Sequence, residues 1–289
     1  SVAYSDGSSA SATIQPGAAH TFDQAAETHT QAVFSAEVTS DQPVAATVIE
    51  ESSSIMFAYS GFTPSDAATN PVLPLINANN AGYVTGMQIQ NTGSSDSSVT
   101  VTYTPTSGGA GCTETQTVAA KSSATFALAA FNTGANSTCT GGMTLVGSAE
   151  VTANSTNQPL AIIVNQLKPG VNGEAYNGFN AANATSKVVM PLIMDRNGGY
   201  FTGFNVMNVG TGSATVSCTF TSATYTVGGT LLPGQALNDL QKNKIADGYV
   251  GSATCTAGAG DSIIGVVNEL GPSATNDQLL VYEGVNAAP

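Results

Sequence analysis

The chain has 289 residues, of which 42% are hydrophobic and 9% are charged, and its formal net charge is −13. Nucleic acid and anionic lipid surfaces repel so acidic a chain, so we expect neither as a partner. No apolar run approaches the roughly 18 residues that span a bilayer, so no membrane insertion is expected. The chain opens with Ser1 and has no basic-then-apolar leader, which favours a secreted, extracellular or cell-surface protein whose signal peptide has been removed.

Residues 1–69 form the first predicted unit. Ser1-Val2-Ala3-Tyr4 predicts a short strand, and residues 34–39 and 43–48 predict two more. The polar stretch between them carries both histidines of the chain, His20 and His29. His20, Asp23 and Glu27 are candidates for a metal site or for the support of a nucleophilic serine. A polar loop explains them better, so no metal ligand or catalytic residue is assigned.

Residues 70–186 and 187–289 predict two copies of one longer repeat. Val72-Leu73-Pro74-Leu75-Ile76 aligns with Val189-Met190-Pro191-Leu192-Ile193. At the same spacing and without a gap, Gly82-Tyr83-Val84-Thr85-Gly86 aligns with Gly199-Tyr200-Phe201-Thr202-Gly203. An ungapped match of this length indicates internal duplication.

The second half of the repeat occurs three times, and each copy closes on a Tyr-x-Gly signature. The signatures are Tyr59-Ser60-Gly61, Tyr176-Asn177-Gly178 and Tyr282-Glu283-Gly284. The first copy therefore has the later strands of the repeat but lacks the two that carry Pro-Leu-Ile and Gly-Tyr-x-Thr-Gly. The predicted division is an incomplete repeat at 1–69 followed by full repeats at 70–186 and 187–289.

The pattern within each copy is typical of strands. Val99-Thr100-Val101-Thr102-Tyr103 alternates with period two, and residues 161–164 form a continuous apolar run. Clusters such as Asn91-Thr92-Gly93 predict turns. Seven short strands in about 105–117 residues are typical of an immunoglobulin-like sandwich. The predicted fold class is all-β, with tandem immunoglobulin-like β-sandwich domains of which the first lacks two strands.

The order of these motifs resembles tandem β-sandwich repeats of bacterial secreted and cell-surface proteins. Pro-Leu-Ile, Gly-aromatic-x-Thr-Gly, Gln-Asn-x-Gly, Val-x-Val-x-Tyr and Tyr-x-Gly follow one another over essentially the whole chain. Such proteins often carry Trp in the Gly-aromatic strand, where this chain has Tyr83 and Tyr200. The resemblance implies an extracellular repeat architecture and does not imply a catalytic activity.

The cysteines predict a disulfide framework. Cys112, Cys139, Cys218 and Cys255 allow three pairings. We favour Cys112–Cys139 and Cys218–Cys255 because each pair then lies within one repeat, and four free thiols are the alternative. Disulfides are typical of an oxidising, extracellular compartment.

No sequence pattern predicts an enzyme or a cofactor. Gly-x-Ser-x-Gly, His-Glu-x-x-His and phosphate-binding glycine loops are missing from the sequence. Glu37 and Glu150 occupy equivalent repeat positions, which favours a strand face over an active site. Asp195 and Asp261 lie near predicted turns as candidate calcium ligands, and a surface glycan is another candidate partner. Three Asn-x-Ser/Thr sequons are candidate glycosylation sites, at Asn136, Asn154 and Asn183.

The incomplete first copy is the main indication of function. A sandwich without two strands exposes apolar core and unpaired backbone at an edge. Residues outside this chain, a neighbouring subunit or a local rearrangement could close the gap. Our hypothesis is that a neighbour closes it at Ser1-Val2-Ala3-Tyr4, the expected assembly edge, and builds a head-to-tail homopolymer, either a filament or a surface layer. The alternative is a secreted adhesion or ligand-binding module that uses the loops at the sandwich ends.

Overall fold

The structure is a computed structural model that describes residues 1–107, 110–127, 136–273 and 276–288. Strands and turns make up this part of the chain, apart from one 3-10 helix at Ala181–Asn183. None of its helices is long and apolar enough to cross a membrane. The prediction of an all-β fold is confirmed.

The first repeat contains five short strands. They are β1 (Val2–Tyr4), β2 (Ser9–Ala10), β3 (Ala36–Val38), β4 (Thr47–Glu51) and β5 (Met56–Ser60). The first three form a sheet in the order β2-β1-β3, and β4 and β5 form a separate hairpin. Residues 11–35 form turns and irregular backbone.

The second repeat is a sandwich of two antiparallel sheets. Its strands are β6 (Pro71–Ala78), β7 (Val84–Asn91), β8 (Ser97–Ser107), β9 (Cys112–Val118), β10 (Ser123–Phe126), β11 (Leu145–Ala153), β12 (Leu160–Lys168), β13 (Asn172–Asn177) and β14 (Phe179–Asn180). One sheet has the order β14-β6-β11-β8-β9, and the other has the order β10-β7-β12-β13.

The third repeat has the same strand order. Its strands are β15 (Lys187–Asn197), β16 (Tyr200–Asn208), β17 (Ala214–Phe220), β18 (Thr226–Leu231), β19 (Ala236–Leu240), β20 (Tyr249–Thr256), β21 (Ile263–Leu270), β22 (Leu279–Glu283) and β23 (Val285–Asn286). One layer runs β23-β15-β20-β17-β18 and the other runs β19-β16-β21-β22. Here β15 and β16 also pair at their hairpin end, which joins the layers into one nine-stranded sheet.

The sandwich is confirmed, whereas the immunoglobulin-like strand order is not. In an immunoglobulin constant domain the first two strands of the chain are neighbours in one sheet. In the second repeat the first strand, β6, pairs with β11, and the second strand, β7, lies in the opposite sheet between β10 and β12. The two complete repeats share this different order.

The first repeat matches part of this plan. The sheet β2-β1-β3 corresponds to β9-β8-β11, and the hairpin β4-β5 corresponds to β12-β13. Within residues 1–69, all of which are described, no strand takes the places of β6, β7, β10 and β14. Two missing strands were predicted and four are missing, because residues 11–35 are irregular where the counterpart of β10 would be and Phe62-Thr63, the counterpart of β14, is not a strand.

The cores follow from side-chain alternation along the strands. Along β17 every second residue is buried, from Ala214 to Phe220. In the second repeat Val99, Val101 and Tyr103 of β8 are buried in the same way. Alternation places one face of each strand in the sandwich interior and leaves the other in solvent. Each complete repeat therefore has its own apolar core.

Candidate assembly site

Both predicted disulfides are present, as Cys112–Cys139 and Cys218–Cys255. The second bond joins residues that lie directly opposite each other on β17 and β20. The equivalent pair in the second repeat is Val101 and Val151, which are also opposite each other and are buried. The third repeat thus has a disulfide where the second has an apolar contact.

The strand Ser1–Tyr4 is not an open edge. β1 pairs with β2 through Val2 and Ala3, and with β3 through Val2, Ala3 and Tyr4. The backbones of Ser1 and Thr39 also bond each other, at 2.9 Å in both directions. The prediction that this strand is the assembly edge is wrong, since it lies in the middle of its sheet.

One open edge is β3, and the pairing register shows what it lacks. Ala36 and Glu37 are equivalent to Ala149 and Glu150, since each alanine is opposite the tyrosine of the Val-x-Tyr strand. In the second repeat, Ala149 and Glu150 pair on their other side with β6. In the part of the chain that the structure describes, β3 has no second neighbour. As a result Val38 is 47% exposed, whereas its equivalent Val151 is 1% exposed.

The other open edge is β4. Val48 pairs with Tyr59 on β5 just as Val164 pairs with Tyr176 on β13, so the hairpin has the register of the complete repeats. In the second repeat β12 also pairs with β7, whose counterpart is missing here. Val44, just before β4, is 54% exposed, whereas the equivalent Leu160 is 0% exposed.

We use the name open core for five apolar residues of the first repeat whose equivalents are buried in the second repeat. They are Ala36, Val38, Val44, Ala46 and Val48, and only Val48 is partly buried. Their equivalents are Ala149, Val151, Leu160, Ile162 and Val164. The open core is apolar surface that a complete sandwich removes from water.

The irregular segment covers a different part of the sheet. Tyr4 is buried under His29 and Phe34, whose ring centroids lie 4.9 and 5.5 Å from the tyrosine ring. His29 is held by Asp6 at 3.0 Å and by Ser8 at 3.1 Å. Hydrogen bonds from Ser8 lower the pKa of Asp6 below its usual range. This cluster fixes the loop over β1.

The cluster does not have the geometry of a catalytic triad. Asp6 and Ser8 both face Nδ1 of His29, whereas a triad needs them on opposite ring nitrogens. Asp23 accepts a bond from the Ala25 backbone, and His20 packs on Phe22. The polar-loop interpretation therefore describes these residues, although the sequence did not single out Asp6 or Ser8.

Successive repeats meet through equivalent contacts. The Asn165 side chain donates to Glu50 of the first repeat at 3.3 Å. The equivalent Asn268 donates to Gln166 of the second repeat at 2.8 Å, and Gln166 donates back at 3.2 Å. Strand β13 likewise lies against both β5 and β22, which have its position in the other repeats. The first repeat thus sits on the second as the second sits on the third.

A second pair of contacts repeats in the same way. Lys121 of the second repeat pairs with Glu37 of the first at 3.3 Å. Gly234, at the equivalent turn position of the third repeat, lies against the Glu150 carboxylate, and its carbonyl accepts a 2.5 Å bond from Ser148. Both turn residues have positive φ, 57° and 76°. One contact geometry therefore relates both pairs of neighbours.

The three Tyr-x-Gly signatures border one cavity of about 480 Å³. Tyr59, Asn177 and Glu283 line it, one from each repeat. Glu283 accepts a 2.8 Å bond from the Asn177 backbone, and the Asn177 side chain donates to the Ser60 carbonyl at 2.9 Å. The polar groups of this cavity thus tie the repeats together.

The candidate calcium ligands already have hydrogen-bond donors. Asp195 is buried and accepts three backbone N–H bonds from residues 243–245 and one from Arg196. These bonds lower the pKa of Asp195 against the opposing effect of its burial. Asp261 accepts the Gly258 N–H at 2.9 Å. Among the described residues no three His, Cys, Asp or Glu side chains cluster as metal ligands.

The three sequon asparagines are all exposed. Asn183 lies in the 3-10 helix and borders the cavity between the repeats. The Asn154 amide is engaged with Thr100 at 3.0 Å and Ser98 at 3.4 Å. Asn136 follows the gap in the described chain, and its carbonyl accepts the Thr115 N–H at 3.1 Å.

Comparison with known proteins gives no relative. No family model, curated protein or solved structure matches the chain. The second and third repeats therefore serve as the reference for what a complete copy of the repeat contains.

Proposed function

We propose that this chain is an extracellular structural subunit that assembles head to tail into a filament or surface layer. In this proposal a neighbour supplies the strands that pair with the two free edges of the first repeat. One observation carries it: the open core, buried in both complete repeats, is exposed beside two unpaired strand edges, β3 and β4. Unpaired edges next to apolar side chains are sites where a further strand adds.

The energetics favour covering this surface. Val38 and Val44 are each about half exposed, and complete burial of a valine contributes about 1.5–3 kcal/mol. Covering both would therefore contribute about 2 kcal/mol, before any backbone hydrogen bonds along β3 and β4. Each such bond adds about 1 kcal/mol net. The open core alone is too small for tight association, so the backbone pairing must carry much of the affinity.

The repeat-to-repeat contacts support a head-to-tail arrangement. Two successive interfaces in this chain use equivalent residues, so each repeat has one face for the repeat before it and another for the repeat after it. Such a heterologous contact propagates rather than closing on itself. On the free face of the first repeat, Ile49 stands where Asn165 and Asn268 stand, and it is 60% exposed. The contact there would be apolar.

Negative-stain electron microscopy with light scattering tests the proposal. We expect regular filaments or sheets from the native chain, and dispersed particles from V38K, because lysine on an edge strand opposes further pairing. Val38 is already exposed in the subunit, so V38K should keep the subunit fold. The matched control is V33K, at an exposed valine of the same repeat outside its strands, which should assemble normally.

Uniform monomers of the native chain at all concentrations would contradict the proposal and favour the adhesion module. Filaments formed equally by V38K would show that β3 is not the joint. Deletion of residues 1–10 is a poor test, since it removes β1 and β2 and with them the sheet itself.

A further inference from the structure

We infer that the strand that pairs with β3 is an extended apolar-Pro-Leu-apolar segment, like Val72–Ile76 and Val189–Ile193, whose leucine backbone binds the Tyr59 hydroxyl. The inference rests on the proposed assembly role, since it names the chemistry of the partner at the same open edge. It is carried by a hydrogen bond that both complete repeats make and the first repeat lacks.

In the complete repeats the tyrosine of Tyr-x-Gly binds the first strand. The Tyr176 hydroxyl donates to the Leu75 carbonyl at 2.6 Å and accepts the Leu75 N–H at 3.4 Å. The Tyr282 hydroxyl donates to the Leu192 carbonyl and accepts the Leu192 N–H at 3.2 Å. Leu75 and Leu192 are the same position of the Pro-Leu-Ile strand. Each tyrosine therefore binds the backbone N–H and carbonyl of one leucine of that strand.

Proline leaves the N–H and the carbonyl of this leucine free of the strand ladder. In the ladder of β6 with β11, Leu73 pairs with Ala149 and Ile76 pairs with Gly147, so a register shift leaves Pro74 and Leu75 outside the regular pairing. The same shift occurs in β15, between Met190 and Ile193. Proline has no N–H for the ladder and is typical of such irregular points. The leucine that follows thus directs its N–H and carbonyl to the tyrosine.

Tyr59 is placed as its equivalents are, but its hydroxyl bonds no described residue. The backbone N–H of Gly61 donates to the Ala46 carbonyl at 2.8 Å, as Gly178 donates to Ile162 at 2.7 Å in the second repeat. The backbone of Tyr59-Ser60-Gly61 therefore already has the hydrogen bond that the complete second repeat makes. Burial, followed by the nearby Glu50 carboxylate, raises the pKa of Tyr59 to about 12, with no hydrogen bond contributing.

Gly61 lacks the contact with a first strand that its equivalents make. A Cβ atom at Gly178 would lie 3.0 Å from Leu73 on the first strand, and one at Gly284 would lie 2.6 Å from Val188 on the equivalent strand. At Gly61 the three nearest atoms all belong to Ala46, on the hairpin itself. The first repeat therefore has the tyrosine and the glycine that contact the first strand in the complete repeats, and it lacks that strand.

The register of the incoming strand follows from the second repeat. Leu73 pairs with Ala149 and Val72 with Glu150, so the residue before the incoming proline should lie opposite Ala36, and the residue before that one opposite Glu37. The leucine after the proline then reaches Tyr59. In this chain both Pro-Leu segments are paired within their own sandwiches. The occupant is therefore a strand of this type that a neighbour supplies in addition to these two segments.

A synthetic peptide of residues 70–91, which contains the Pro-Leu-Ile strand and the strand after it, tests the inference. The fluorescein-labelled peptide is titrated with the full chain kept dispersed at low concentration, and binding is read by fluorescence polarisation. We expect saturable binding that Y59F weakens about tenfold, since the hydrogen bonds of the hydroxyl to the leucine backbone are lost, and that V38K weakens further. Y200F, at a tyrosine of the third repeat, is the matched control and should bind normally.

Absence of binding by a chain that still forms filaments would overturn this strand assignment and leave the assembly proposal standing. Equal binding by the native chain, Y59F and V38K would also overturn it, since the peptide would then lie elsewhere. Peptide binding that Y59F weakens, by a chain that never assembles, would support the strand assignment and contradict the assembly proposal.

Discussion

Replacing Glu269 with glutamine should remove a large part of the pH dependence of stability. Glu269 on β21 is 1% exposed, and the Thr202 hydroxyl donates to its Oε2 at 2.7 Å. Its Oε1 is buried without a partner among the described residues. Burial raises the pKa of Glu269 from 4.5 to about 7 against the opposing effect of Thr202. The equivalent residue in the second repeat is Gln166, which is neutral and makes amide hydrogen bonds.

The magnitude follows from the two pKa values. Below pH 4.5 Glu269 is protonated in both states, so its contribution is intact. Between pH 4.5 and 7 the unfolded chain loses this proton more readily than the folded chain, and stability falls as pH rises. Above pH 7 the contribution of Glu269 to the free energy of unfolding is fully lost. A folded pKa of about 7 against 4.5 corresponds to about 3 kcal/mol.

Urea unfolding followed by circular dichroism between pH 4 and pH 8 is a suitable assay, since the chain has no Trp for fluorescence. Over this range we expect the free energy of unfolding to fall by about 3 kcal/mol more for the native chain than for E269Q. Comparing changes with pH cancels any pH-independent cost of the new amide. E51Q, at an exposed carboxylate of β4, controls for the loss of one negative charge. Identical pH profiles for the native chain and E269Q would refute the reasoning.

Two further substitutions test the equivalence of the repeats. E50Q should stabilise the chain by about 1 kcal/mol, because its new N–H can donate to the buried, unpartnered Oδ1 of Asn165. The Gln166 side chain donates to Asn268 in the same way. An increase in melting temperature no larger than that of E51Q would contradict this. Replacing both Cys218 and Cys255 with valine should keep the fold, since valines form the equivalent pair in the second repeat. Loss of this 37-residue link should cost about 4 kcal/mol, and an unfolded circular dichroism spectrum would contradict the equivalence.

Much of the architecture could be predicted because the repeat is visible in the sequence. Aligning the Pro-Leu-Ile and Gly-Tyr-x-Thr-Gly motifs identified two of the strands that the first repeat lacks, and it placed each disulfide within one repeat. Period-two alternation, as in Val99–Tyr103, predicted strands but not their neighbours. The sheet order, in which β6 pairs with β11 and not with β7, depends on contacts between distant segments. For this reason the immunoglobulin-like order was not a secure inference.

The prediction of an open edge at Ser1–Tyr4 was wrong for a related reason. β2 is only two residues long, Ser9–Ala10, and no pattern of that length predicts a strand. Without it, Ser1–Tyr4 looked like an edge. The role proposed for Tyr59 could not be predicted from the sequence, because it is inferred from the hydrogen bonds that the Tyr176 and Tyr282 hydroxyls make. An alignment that marks Tyr59 as equivalent to them was the one available signal.

Hydrogen exchange of the assembled and dispersed chain tests most directly whether added strands pair with the free edges of the first repeat. Peptide-resolved mass spectrometry would follow β3 (Ala36–Val38) and β4 (Thr47–Glu51), with the already paired β1 (Val2–Tyr4) as internal reference. We predict that assembly slows exchange in β3 and β4, because their free edges gain hydrogen bonds, and leaves β1 unchanged. Assembled particles in which β3 and β4 exchange as fast as in the dispersed chain would contradict the account.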